Sequence, residues 1–181
     1  MKKIILLLVL VSFYSVKSRS QEFVKGSVAV NGGIGLFSIS HLFDDNFTTW
    51  PLFYVSGEYG VYDIEDIGVL SAGGFIGIQH EKFDIVDLSW TNTYIAVRGN
   101  IHINELIDYP KLDVYGGLAL GYQILTEVRP NFAGDFNKHL VGDPLIGLYM
   151  GSRYFVTENL ALVGEIGWDV SWLKIGISYQ L

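Results

Sequence analysis

Apolar and polar residues alternate one by one along most of the chain, which is the pattern of strands with two unlike faces. The alternation is clearest over residues 93–103. One face carries Thr93, Ile95, Val97, Gly99, Ile101 and Ile103, and the other carries Asn92, Tyr94, Ala96, Arg98, Asn100 and His102. This segment is therefore predicted to be a strand with one apolar and one polar face.

The same pattern predicts eight strands, each long enough to cross a bilayer at a tilt, which takes about 9–11 residues. They lie at about 24–37, 52–62, 68–80, 90–103, 112–125, 145–156, 160–168 and 172–181. We expect an all-β fold, an eight-stranded antiparallel transmembrane β-barrel with up-and-down meander order.

The predicted connections differ in length in a regular way. Segments 38–51, 81–89 and 126–144 are long and polar, whereas 63–67 and 157–159 are short and rich in Asp, Glu and Asn. With the first strand starting in the periplasm, the long loops would face outward, as is usual in outer-membrane barrels. Two connections fit less well. Residues 104–111 are long for a turn and have room for one helical turn, and the connection at 169–171 is very short.

The less apolar face of the strands distinguishes a membrane barrel from a soluble one. In a soluble barrel this face would be rich in Lys, Glu and Thr. Here it is small or neutral, with Gly117, Ala119 and Gly121 in the fifth predicted strand and Gly147 and Tyr149 in the sixth. Such residues fit the narrow interior of an eight-stranded barrel. We therefore expect the apolar faces to point outward to lipid.

Seven charged residues lie within the predicted strands, all on the non-apolar face by this register: Lys25, Glu58, Arg98, Asp113, Arg153, Glu165 and Lys174. An Arg or Lys facing lipid near the midplane would cost about 2–4 kcal/mol. These residues are therefore predicted to be structural charges of the lumen that pair and hold it closed. The alternative is a proton or ion pathway.

The start of the chain resembles an export signal. Lys2 and Lys3 precede the apolar run Ile4 to Val11, and Ser18 and Ser20 are small residues ahead of Gln21. The sequence predicts a cleaved Sec signal peptide at 1–20 and a barrel domain at 21–181, with a retained N-terminal anchor as the alternative. The apolar run is shorter than the roughly 20 residues of a membrane-spanning helix.

Composition and charge exclude several classes of function. Four of the 12 basic residues lie in the first 20, which leaves eight against 19 acidic residues and a formal charge of −11. An acidic chain without a basic stripe is a poor nucleic-acid binder, so no nucleic-acid partner is expected. The chain contains no Cys, which excludes disulfides and thiol chemistry.

The last residues carry the most specific local pattern. Leu173, Ile175, Ile177, Tyr179 and Leu181 alternate with smaller or polar residues to the final position. This resembles the terminal-strand signal that the barrel-assembly machinery reads in outer-membrane proteins, and Leu181 departs from the Phe with which many of those proteins end.

The stretch Lys111-Leu-Asp-Val-Tyr-Gly-Gly-Leu-Ala-Leu-Gly-Tyr122 resembles the strand after a periplasmic turn in small OmpX/OmpW-like barrels, especially the Bacteroidota-type outer membrane protein beta-barrel domain. The resemblance covers the predicted mature chain as a pattern of strands. It implies the fold and a location in the outer membrane of a Gram-negative cell. It transfers no active-site residues.

Candidate chemistry is sparse. His41 lies close in sequence to Asp44 and Asp45, a grouping that can act as a general base or bind a cation. The His-x-Ser arrangement of lipid-A deacylases is missing, and there is no phosphate loop or Gly-x-Ser-x-Gly elbow. A solvated loop is the preferred interpretation of His41. No catalytic, cofactor-binding or resident metal site is predicted.

The outer loops are predicted to be acidic: Asp44, Asp45, Glu81, Asp84, Asp87, Glu127, Asp135, Asp143 and Asp169 against Lys82, Arg129 and Lys138. Divalent cations that bridge these carboxylates to lipopolysaccharide phosphates are one hypothesis. The preferred one is a soluble, repulsive rim.

Together these features predict a non-enzymatic, monomeric outer-membrane barrel with a side-chain-filled lumen and a structural or surface-interaction role. Its expected partners are outer-membrane lipid, lipopolysaccharide and, during biogenesis, the assembly machinery. One alternative is a narrow conduit or binding pocket for small hydrophobic molecules. Another is a lipid-A-modifying enzyme that depends on His41 or His139.

Overall fold

The computed structural model describes residues 23–38, 47–83, 88–107, 109–130 and 136–181. These residues form strands connected by short turns and one 3-10 helix at Asn104–Leu106. The strands are β1 (Val28–Ser38), β2 (Phe47–Thr49), β3 (Leu52–Ile64), β4 (Gly68–Phe83), β5 (Leu88–His102), β6 (Leu112–Pro130), β7 (Phe136–Phe155), β8 (Leu160–Trp168) and β9 (Ser171–Gln180). In this part of the chain, no helix has the length and apolar character needed to span a membrane.

Eight of the strands close into a barrel. Neighbours in sequence pair antiparallel from β3 to β9, and β1 pairs with β3 on one side and with β9 on the other. The pair Gly33 and Gly176 closes the ring between β1 and β9. The short β2 lies outside this ring and pairs with the end of β4. The predicted eight-stranded antiparallel meander is confirmed.

The burial pattern is the inverse of that of a soluble barrel. In β5 the polar face is buried and the apolar face is exposed, so that Arg98 is 6% exposed whereas Val97 is 65% exposed. The same inversion holds in the last strand, where Lys174 is buried and Ile175 and Ile177 are exposed. An apolar outer surface around a polar interior is the arrangement that lipid requires of a transmembrane barrel.

The two ends of the barrel differ. We call one end the turn end, because β1 begins and β9 finishes there beside the turns at 65–67 and 156–159 and the 3-10 helix at Asn104–Leu106. The opposite end, the loop end, is where β4, β5, β6 and β7 rise beyond the apolar outer surface. On β4 and β5 the outward positions become polar there, as shown by the exposed contact of His80 Nδ1 with Thr91 Oγ1 at 3.1 Å.

Most strand boundaries fall near their predicted positions, with two instructive differences. The first strand begins at Val28, because residues 24–27 form a tight turn in which Gly26 has a φ of +89°. The predicted loop 126–144 is largely strand, because Thr126 to Pro130 pair with Phe136 to Leu140 in the β6–β7 ladder. Residues 104–111, which have room for one helical turn, contain the 3-10 helix Asn104–Leu106.

Candidate functional site

Six of the seven charges that the sequence predicted for the lumen are buried there: Glu58, Arg98, Asp113, Arg153, Glu165 and Lys174. The interpretation of Lys25 was wrong. Lys25 lies in the turn before β1 and its side chain is exposed, because the alternation of strand faces does not extend into that turn.

The first group of buried charges lies toward the turn end, and we call it the turn-end ring. It contains Glu58, Arg153, Asp113 and His102. Arg153 pairs with Glu58 and donates from Nη1 to Asp113 Oδ2 at 2.9 Å. His102, which is fully buried, lies between the two acids, with Nδ1 2.8 Å from Asp113 Oδ1 and Nε2 3.2 Å from Glu58 Oε2. Each carboxylate therefore contacts both basic groups.

Ser71 extends the turn-end ring. Its Oγ lies 3.1 Å from His102 Nε2 and donates to Glu58 Oε2 at 2.8 Å. The order Ser71, His102, Asp113 matches the order of contacts in a serine hydrolase triad. However, the Ser71 hydroxyl proton is committed to Glu58, and Ser71 is only 2% exposed. We therefore interpret these residues as a structural network that satisfies buried polar groups.

The second group lies farther along the barrel, and we call it the middle ring. It contains Arg98, Glu165, Lys174 and Asp169. Arg98 Nη2 lies 2.8 Å from Glu165 Oε1, and Lys174 Nζ lies 3.4 Å from Glu165 Oε2. Lys174 also donates to both carboxylate oxygens of Asp169, at 2.6 and 2.5 Å. Two cations and two carboxylates thus balance one another inside the barrel.

Asp169 and His102 extend what sequence analysis identified as the charged lumen. Asp169 was expected on an acidic outer loop, but it is 8% exposed and turned inward onto Lys174. His102 was placed on the polar face of its strand without a role. The alternation of faces along its strand could have placed His102 inside the barrel. No sequence pattern indicated that Asp169, in the tight connection after β8, would turn inward.

Neutral side chains join the two rings. Asn100 donates to Glu58 at 2.6 Å and accepts a hydrogen bond from the hydroxyl of Tyr149. The Tyr149 ring in turn lies 3.7 Å from the Arg98 guanidinium carbon, a cation–π contact. Tyr115 donates to Glu165 at 2.8 Å. The rings are therefore one continuous polar network.

A layer of apolar and aromatic side chains fills the lumen on the loop-end side of the network. Its buried members include Leu52, Tyr54, Phe75, Tyr94 and Val170. Tyr54 and Phe75 stack with ring centroids 5.5 Å apart. Beyond this layer, toward the loop end, the lumen holds a second polar cluster, in which the buried Glu81 accepts hydrogen bonds from Trp90 Nε1 and from Asn92 Nδ2. Glu81 was expected on an acidic outer loop, but β4 continues past that position and turns its side chain inward.

The terminal pattern forms the outward face of β9. Ile175, Ile177, Tyr179 and Leu181 are exposed, and Leu173 is half-buried. Lys174, Ser178 and Gln180 occupy the buried face between them. These apolar residues thus belong to the lipid-facing surface, and their role as an assembly signal stays a prediction.

At the loop end, β7 presents an open edge. It pairs with β6 over its whole length up to Tyr154, but its pairing with β8 begins only at Leu148 and Trp168. On that second side, residues 136–147 have no strand partner in the described part of the chain. We call this stretch the β7 edge.

The polar groups of the β7 edge can be assigned by alternation. The N–H of Phe155 donates toward β6, to the carbonyl of Lys111, and the N–H of Val156 donates toward β8, to the carbonyl of Leu160. Even-numbered residues of β7 therefore direct their N–H groups to the open side. Pro144 is one of them, so its missing N–H leaves the β6–β7 ladder intact, as expected for proline on an edge strand.

Several residues singled out in the sequence lie outside the described residues. They are His41, Asp44, Asp45, Asp84, Asp87 and Asp135, together with the side chains of Arg129, Lys138 and His139. The cation-bridging and lipid-modifying hypotheses depend largely on them and stay untested predictions.

The fold is shared with small outer-membrane barrels of known structure. The outer membrane protein OprG of Pseudomonas aeruginosa matches with a TM-score of 0.55 at 12% identity, over 90% of this chain and 99% of that one. The attachment invasion locus protein Ail of Yersinia pestis matches with a TM-score of 0.51 at 11% identity, over 87% of this chain and 100% of that one. A scan of protein-family models gave no match, nor did a search of curated proteins.

These observations define the class of the protein. It has the fold of the small eight-stranded outer-membrane β-barrels, with an apolar outer surface and a polar, filled interior. The Bacteroidota-type assignment stays a prediction.

Proposed function

We propose that the protein is a closed barrel of the outer membrane and that it binds its partners through the sheet at the loop end. The barrel anchors this sheet, which faces the outside of the cell, and the β7 edge binds extended segments of other proteins by strand addition. The single observation that carries the proposal is the β7 edge, residues 136–147, which has no strand partner on one side among the residues that the structure describes.

An unpaired strand edge is a template for pairing, because its N–H and C=O groups lack protein partners on one side. Proteins that bind peptides by strand addition obtain affinity from these main-chain hydrogen bonds. Here Pro144 interrupts the row of donors. The Gly142 carbonyl, which is also on the open side, already accepts a hydrogen bond from the Tyr122 hydroxyl at 3.0 Å. The usable part of the edge is therefore residues 136–141, which include the exposed Leu140.

The filled lumen supports a surface role over a conduit. The six lumen charges are paired within the two rings, and the apolar layer packs beside them. A solute would have to displace both, and separating a buried charge from its partner typically costs about 3–5 kcal/mol. The loop end therefore offers a more accessible surface for function than the lumen does.

The test is adhesion of bacteria that display the protein to a surface coated with a denatured protein, whose extended chains can pair with a strand edge. Cells with the unsubstituted protein should be retained above cells that lack it. Leu140→Pro should return retention to background, because it removes one N–H from the open side and leaves the β6 side bonded. Leu140→Ala, which removes the side chain but keeps the N–H, is the matched control and should retain adhesion.

Retention equal to that of cells lacking the protein would contradict the surface role. An equal loss in Leu140→Pro and Leu140→Ala would contradict strand addition and assign the binding to the side chain. Surface labelling of intact cells confirms that each variant is displayed at the same level.

A further inference from the structure

Among the described residues, an aromatic side chain from the segment before β1, Phe23, packs against the turn-end ring, at the end of the lumen where Phe155 of β7 is also fully buried. Phe23 is 1% exposed and packs in a small cluster with Ala29 and Val69. Its ring stacks on that of His102, with centroids 4.3 Å apart and an interplanar angle of 22°. It also lies 5.3 Å from the guanidinium carbon of Arg153. Phe23 therefore contacts both basic members of the turn-end ring.

The backbone around Phe23 is held in a defined shape. Val24 N donates to Ser27 Oγ at 3.1 Å, and Ser27 N donates to the Val24 carbonyl at 3.0 Å, which closes a tight turn. Gly26 supplies the positive φ of +89° that this turn requires. The turn reverses the chain so that Phe23 points back over the mouth of the barrel from which β1 rises.

Two further contacts clamp the turn to the barrel. Gly26 N donates to the Gly60 carbonyl, and Gly60 N donates to the Ser27 carbonyl, both at 2.9 Å. A Cβ at Gly60 would lie 2.4 Å from the Val24 carbonyl oxygen, so this approach needs glycine. On the other side, Asn104, itself buried, donates to the Phe23 carbonyl at 3.3 Å.

From this geometry we propose that residues 23–27 form a plug that closes the turn end of the lumen. The plug keeps water and ions away from the turn-end ring, and its removal opens the ring without unfolding the barrel. Ion pairs are much stronger when water is excluded, so the plug stabilises the ring that it covers. The proposal is independent of the surface role, because it concerns the opposite end of the molecule.

The absence of cysteine from the chain allows a direct test. Ser71→Cys places one thiol in the ring behind Phe23. The full-length variant, purified in detergent, is treated with a small charged water-soluble thiol reagent, and the modified fraction is followed by mass spectrometry. In the parent Ser71→Cys protein, modification should be slow because residue 71 is buried.

Adding Phe23→Ala should raise the modification rate by about tenfold or more, the change expected when a local opening costs about 1.4 kcal/mol less. The matched control is Phe75→Ala, which removes another buried Phe, one of the apolar layer. Its rate should stay near that of the parent, since the turn end remains covered.

Three outcomes would overturn the proposal: a fast parent rate, an unchanged rate with Phe23→Ala, or equal increases with Phe23→Ala and Phe75→Ala. The last would indicate general loosening of the barrel. Gel mobility before and after heating checks that each variant is folded. Should Phe23→Ala not fold, Asn104→Ala carries the same test, because it removes the bond to the plug and leaves the ring side chains in place.

Discussion

Arg153 shows most clearly how single residues hold the lumen closed. Its side chain is 1% exposed and pairs with two carboxylates, Glu58 and Asp113, at once. A buried charge that loses its partner is costly, because neither water nor another charge compensates for it. The stability of the turn-end ring should therefore depend strongly on this one cation.

Replacing Arg153 with Met should lower the free energy of unfolding by about 3–5 kcal/mol, because it leaves Glu58 and Asp113 without their shared cation. Urea unfolding of the protein in lipid vesicles measures the effect. Lys25→Met removes one cation from the exposed turn and should change stability by less than about 0.5 kcal/mol. Equal effects of the two substitutions would show that burial of the charge is irrelevant.

For single residues, the sequence predicted which side chains face inward, but it did not predict which of them pair with one another. Strand parity was enough to place Arg98 and Glu165 on inner faces. Their 2.8 Å contact joins residues 67 positions apart, from β5 and β8. Which inward side chains meet depends on the stagger of the strands around the barrel, which no local pattern specifies. Lys25 was wrongly placed inside the barrel, because the alternation of strand faces was assumed to continue into the turn before β1.

Among the strands, β5 shows where the lipid-facing surface ends. Val97 lies on its outward face within the apolar surface, and Ser89 lies on the same face toward the loop end. Charge on the outward face should be costly within the bilayer and tolerated beyond it. The two positions therefore measure the limit of the membrane along one strand.

Val97→Lys should destabilise the folded barrel in vesicles by about 2–4 kcal/mol, whereas Ser89→Lys should cost about 0–1 kcal/mol. The measurement is again the free energy of unfolding in urea. A Val97→Lys variant as stable as the Ser89→Lys variant would mean that this part of β5 does not face lipid.

Among the strands, β6 and β7 are the ones whose full length the sequence did not predict. The alternation of apolar and polar residues identified the halves of these two strands that lie toward the turn end, within the apolar surface. Beyond it, residues 126–144 include several charged residues and Pro144, so they resembled a loop. The apolar residues Val128, Phe136 and Leu140 at even positions continue the alternation of a strand, but the charges and the proline outweighed them in the sequence interpretation.

For the molecule as a whole, the closed lumen has a direct electrical consequence. Purified protein inserted in a planar lipid bilayer should give no discrete conductance steps, because the two rings and the apolar layer fill the barrel. Stable ohmic steps from the unsubstituted protein would contradict the filled lumen and favour the conduit. A larger porin recorded in the same bilayer is the positive control.

In this barrel, apolar side chains face lipid while charges and glycines line the inside. The most direct measurement is refolding from urea with and without lipid vesicles, followed by gel mobility before and after heating. With vesicles, a compact species whose mobility changes on heating should form, and without vesicles the chain should aggregate. A folded, monomeric, water-soluble species in the absence of any amphiphile would contradict this arrangement.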